Sequence, residues 1–129
     1  MFKGTMTRLA DAAHALQHLL VKFGSDADHI AVAGVADMPI GTCDDTPGEA
    51  EASAAVRLLG SFDGSITMVA SEVIGAGVRV FQAAGGKVSL LPEAAGDYWC
   101  VGTSLTAAAA DEDELEVDAC VPYPVTVAA

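Results

Sequence analysis

The chain has 129 residues, which suits one domain able to bury a core. Six basic residues face eighteen acidic ones, a formal charge of −12, and eight acids but no base follow Lys87. This excludes a nucleic-acid binder, which needs Lys and Arg to displace counterions, and no stretch is apolar for long enough to span a membrane. Hydrophobic residues make up 52% of the chain, with much of that alanine and valine, and there are only one Trp, two Tyr and four Phe. Small side chains bury little area each, so contact between subunits would add burial that the fold lacks. Cys43, Cys100 and Cys120 are odd in number and widely spaced, which predicts free, mostly buried thiols in a cytosolic product. Asp11, His14, Gln17 and His18 interrupt any signal-peptide core, in keeping with synthesis in a cytoplasm.

Residues 1–8 are mixed and lack a period, so they are expected to form a loose arm. Leu9, Ala13, Leu16 and Leu20 share a helical spacing, and residues 9–20 read either as a helix or as an extended arm. Residues 19–23 turn strand-like, 24–28 form a polar turn, and Ile30 and Val32 alternate with alanines up to Val35. Pro39 removes a backbone donor and suits a sheet edge or bend. Residues 44–52 are acidic with Pro47-Gly48, an exposed loop. A strand over 56–60 is followed by Asp63-Gly64, read as a hairpin turn leading to Ile66, Met68 and Ala70.

The stretch 68–88 organises the chain. Ser71 and Glu72 suit the start of a one-turn helix that Gly75 and Gly77 would end. Residues 78–82, with Phe81, are β-branched and aromatic, a strand. Ala84-Gly85-Gly86-Lys87 then reverses the chain, and 88–91 returns as the partner strand. A strand over 97–105 carries Tyr98 and Trp99; alternation sets Trp99 with Val101 on one face and Tyr98 with Cys100 on the other. Residues 107–110 suit a short helical turn and 111–114 an acidic one. Leu115, Val117, Ala119 and Val121 alternate with polar residues as a half-buried strand, which Pro122 and Pro124 are expected to end. The expected organisation is an arm or helix over 1–15, a β-rich domain over 16–122 and a tail over 123–129. The fold class is all-β: a small β-barrel or β-sandwich, with a β-tulip as one form of it.

No catalytic set survives inspection. His14 and His18 would share a helix face, but Ala15 stands where a zincin needs Glu. Gly102-Thr103-Ser104-Leu105-Thr106 lacks the last glycine of a nucleophile elbow, and no His follows it. Gly75-Ala76-Gly77 lacks the third glycine of a dinucleotide loop. The acids at 111–114 with Glu116 lack the sixth-position glycine of an EF-hand loop, and read as a solvated turn. No enzyme activity, cofactor or metal is therefore expected. Tyr98, Trp99 and Phe81 are candidates for core or subunit contact, ahead of a sugar-stacking platform.

Several short pieces, in order, are similar to the capsid cement, or head decoration, proteins of tailed phages. Val69-Ala70-Ser71-Glu72-Val73-Ile74-Gly75-Ala76-Gly77 leads into a strand and then Gly85-Gly86-Lys87-Val88, as in that family. Upstream stand Leu20-Val21-Lys22, residues 24–29 and Asp37-Met38-Pro39-Ile40-Gly41. Downstream stand Gly96-Asp97-Tyr98-Trp99, Val101-Gly102 and Leu115-Glu116-Val117, so the likeness spans residues 16–121. The resemblance implies a virion protein on the capsid exterior, whose partners are the major capsid protein and further copies of itself, as a trimer or a dimer. Lys3 and Arg8 precede the first acid, so Phe2, Lys3, Met6, Arg8 and Leu9 form a basic, partly apolar tip and are the candidates for capsid contact. The competing expectation is a free β-barrel module for a small ligand or carbohydrate.

Overall fold

Strand β2 (Leu20–Phe23) shows how this sequence builds its layers. Successive strand residues face opposite sides. Val21 accordingly enters one apolar cluster and Leu20 another, and both are wholly buried. The same alternation recurs along the chain. In the computed structural model, which describes residues 4–129, it produces an all-β molecule of ten strands with no α-helix among the described residues.

Five strands close a barrel: β1 (Thr5–Ala10), β2, β3 (His29–Val32), β4 (Gly41–Cys43) and β5 (Ser53–Leu58). Their order is β1-β3-β2-β4-β5, and β5 pairs back to β1. Only the β1–β3 pair is parallel. Met6, Val21, Ile30, Cys43, Ala54 and Val56 form its core. Apart from Met6 and Ile30 these side chains are small, and a five-stranded barrel leaves them little space to fill.

The second layer is an antiparallel sheet of β6 (Ile66–Val69), β7 (Arg79–Gln82), β8 (Val88–Ser89), β9 (Gly96–Ser104) and β10 (Glu114–Val127), in the order β6-β10-β9-β7-β8. One larger core unites the layers. Leu20, Ala33 and Leu59 come from the barrel segment, and Ile66, Met68, Val80, Val101, Leu115 and Val117 from the sheet. The β7–β8 hairpin is pinned to the barrel at Ala33, whose carbonyl accepts from Gly86 N at 2.9 Å and from Gln82 Nε2 at 3.1 Å. Gly86 has φ +74, and a Cβ there would stand 2.9 Å from the Leu20 carbonyl, so only glycine suits this joint.

Two further segments, 70–78 and 104–113, lie side by side as a seam. Ala70 N donates to Asp113 O and Glu112 N to Ala70 O. Ile74 and Ala108 exchange both backbone bonds, at 3.0 and 2.8 Å. Gly77 N donates to Ser104 O at 2.7 Å, and Ser104 Oγ to Gly75 O at 2.6 Å.

Several sequence expectations are corrected. Residues 5–8 are not an arm: they pair with Arg57 through Ala54 on β5, because Met6 fills the barrel and the strand satisfies the backbone groups of β5. Residues 9–20 are not a helix; Leu9 and Ala10 end β1, Leu20 starts β2, and an irregular segment lies between. The boundary at residue 15 therefore separates no arm from the β-domain. The one-turn helix at Ser71 does not form. Ser71 N and Oγ both donate to Val88 O, and Ile74 is held by Ala108, so neither segment coils. Asp63-Gly64 is no hairpin turn, since β5 and β6 belong to different sheets. The returning strand stops at Ser89, short of Leu91.

The C-terminal residues are no tail. Tyr123 to Val127 pair with Cys100 to Gly96, after a bulge between Ala119 and Tyr123. Proline is tolerated there because β6 flanks β10 only from Glu114 to Val117. Past that point no strand pairs on the second side of β10 among the described residues, so a missing N–H breaks no ladder.

Candidate functional site

The five N-terminal candidates do not form one exposed tip. Phe2 and Lys3 lie outside the described residues. Met6 is buried at 7% exposure inside the barrel. Leu9 is half-buried, registered against Ser53 on one side and His29 on the other. Arg8 is half-buried too; its Nε donates to Ala27 O at 3.0 Å and a terminal nitrogen to Thr7 O at 2.8 Å. Strand geometry separates these side chains onto two faces, and one face is core.

The aromatic candidates sit on the second sheet. Phe81, Tyr98 and Cys100 are buried in a third cluster, with Val125 and Val127 packed against it. Tyr98 Oη donates to Ala94 O at 2.8 Å, which satisfies the phenol at the cluster's edge. Phe81 and Tyr98 are thus core residues. Val101 joins the core between the layers, so it and the Tyr98–Cys100 pair pack into different clusters. Trp99 is half-buried and lies opposite Pro124. The three cysteines are free thiols; burial pushes Cys43 and Cys120 up from the ordinary thiol range.

Three histidines have three different environments. His29 Nδ1 is 2.6 Å from Asp26 Oδ1 and Nε2 is 2.8 Å from Glu51 Oε1. The two carboxylates, Asp26 first, push its pKa up to about 9, and the same bond holds Asp26 below its usual range. The ring is an imidazolium clamp tying the β2–β3 turn to the loop before β5. His18, at φ +67, is 3.5 Å from Asp44 and 3.8 Å from Glu114, bridging barrel and sheet. His14 is 6% exposed with both ring nitrogens unpaired, and burial lowers its pKa. His14 and His18 thus share no helix face.

The remaining motifs have structural uses. Ser104 is buried, and its hydroxyl pins the seam. Asp113 accepts from the backbone of Ala109 and Ala110, and Lys87 Nζ pairs with Asp111 at 2.9 Å and Glu112 at 3.6 Å. Glu116 is held below its usual range by the hydroxyl of Thr67, with Ser65 adding to it. No cluster of three metal-ligating side chains and no pocket occurs among the described residues. No helix among them is long and apolar enough to cross a membrane. One surface escaped the sequence reading: the outward side of the seam. Its signal was present, since residues 73–78 and 98–110 carry no charge in a strongly acidic chain. Comparison with protein-family models, curated proteins and solved structures returned no match.

Proposed function

We propose that this chain is a structural virion protein that binds the outer surface of a phage capsid and stabilises the expanded head. The observation that carries the reading is the ordered set of decoration-protein motifs between residues 16 and 121. Two of them, Val69 to Gly77 and Gly85 to Val88, fall on the seam and on the hairpin fastened to Ala33. Gly86 ties the hairpin to the barrel segment and Ala70 and Ile74 pack in the shared core, as expected where sequence likeness reflects a rigid scaffold and not a reaction centre.

On this reading the chemistry is surface complementarity. A protein that binds only the expanded shell stabilises that state by mass action, and so opposes rupture by packaged DNA. Three copies around a local threefold junction would match partner to site. The acidic outer surface would limit sticking between particles. The test is sedimentation of purified protein with DNA-free heads, expanded and unexpanded, assembled from a tailed-phage major capsid protein. Saturable binding to expanded heads alone is expected. Absence of binding, together with a melting shift on adding sugars, would favour the ligand-binding module instead.

A further inference from the structure

The seam has two sides of opposite character. Inward, Ile74 and Ala108 are buried at 1% and 3% exposure. Outward, Val73 is 65% and Leu105 53% exposed, and Ala76, Ala107 and Ala109 are exposed around them. In the register set by Ile74 and Ala108, Val73 lies across from Ala109 and Leu105 across from Gly77, so the two large side chains stand toward opposite ends of one exposed, uncharged apolar strip. Such a strip marks an interaction surface more often than lone exposed residues do. The seam is also held at both ends and in its middle by backbone bonds, so a partner meets an ordered surface and little chain entropy is lost on docking.

Its charge is lopsided. Around the Gly75–Gly77 and Leu105–Ala107 end there is no charged residue within the segments themselves. At the Ala70 end, Glu72 and the run Asp111 to Glu114 are all exposed, and Lys87 is the base that answers them. Five acids to one base leave a strong negative potential beside the apolar side chains. A second copy would bring the same acids to the same place, and a nucleic acid or anionic membrane would add phosphate. The complementary surface is an apolar patch flanked by Lys or Arg.

We infer that the outward side of this seam is a docking face for a protein surface of that kind, which, resting on the proposed function, is the exterior of the capsid shell. Apolar contact through Val73 and Leu105 supplies adhesion, and the acids at one end fix the orientation and speed encounter.

The experiment measures binding to expanded, DNA-free heads over a range of salt, using wild type, V73S/L105S, E72K/E112K and F23S. Phe23 is an exposed apolar residue on the barrel, 48% exposed, and serves as the control. Melting curves establish that all variants are folded. Loss of at least about tenfold in affinity is expected for V73S/L105S and for E72K/E112K, against less than about twofold for F23S. Salt should weaken wild type more steeply than E72K/E112K. If wild type binds and both seam variants bind equally well, the docking face is wrong while the function stands. If wild type itself does not bind, the proposed function fails and the inference with it. If V73S/L105S instead converts a free oligomer to monomer, the seam is a subunit face and the inference is overturned.

Discussion

Replacing Met6 by Ala tests whether the N-terminal segment belongs to the barrel. Met6 is 7% exposed and packs with Val21, Ile30, Cys43, Ala54 and Val56. Truncation removes the thioether arm, with a transfer cost of about 2 kcal/mol at roughly 0.8 kcal/mol per methylene-sized group. A closed barrel collapses poorly around a gap, so the residual cavity raises the loss to about 2–4 kcal/mol. Unfolding entropy near 2.1 cal/mol/K per residue gives about 0.27 kcal/mol/K for 129 residues. The expected fall in Tm is therefore about 7–15 °C by calorimetry or far-UV circular dichroism. Thr7 is exposed on the opposite face of β1, and Thr7→Ala should cost no more than about 0.5 kcal/mol. If Met6→Ala melts with Thr7→Ala, β1 is not docked, and the arm reading returns.

Three further outcomes are expected. The His29 clamp contributes fully below about pH 6.5, its ordinary pKa, and this is lost as pH rises to about 9. His29→Gln should therefore melt below wild type near about pH 6 and converge with it above about pH 9, and an unchanging gap would refute the clamp. His14 is kept neutral by burial, so below about pH 6.5 the unfolded chain takes up the proton first and stability falls. In His14→Phe that part of the acid sensitivity should vanish, whereas parallel pH–stability curves would show that His14 is not the source. A Cβ on Gly102 would stand 2.4 Å from Asp118 O, so Gly102→Ala should cost about 1–3 kcal/mol in urea unfolding. Gly48→Ala meets open space and should shift the midpoint little; equal effects at both sites would remove the close-approach argument.

The strands legible in the sequence are those with strict alternation or a strong turn: β2, β3, β5, β6, β7, β8 and β9, and the first half of β10. Those it hides owe their form to distant partners. β1 reads as a mixed arm because Thr5, Thr7 and Arg8 look polar, yet Arg57 to Ala54 stand ready to pair with it. β4 is three residues long and holds no periodic signal, but two neighbours enforce it. The prolines of β10 suggest an ending that only the absent neighbour strand cancels. The candidate site was less legible still. Charge along the chain marks residues 1–8 as a basic tip, but burial consumes Met6, and strand pairing takes up Arg8 and Leu9. Val73 and Leu105 are 32 positions apart and come onto one seam only through the Ile74–Ala108 bonds, which set Val73 across from Ala109 and Leu105 across from Gly77.

A strand with free N–H and C=O groups is a template for any other strand, and crowding many copies together makes that dangerous. Here each opening is blunted. The barrel closes on itself, β8 offers two residues, and the run of β10 beyond β6 carries Pro122 and Pro124. β6 is four residues long and lies near β4 of the barrel. Growth by strand addition, the route to fibres, is therefore poorly supported at these edges. Copies of this chain gathered at high local density would be left to meet through side chains, in contacts that can saturate and stop.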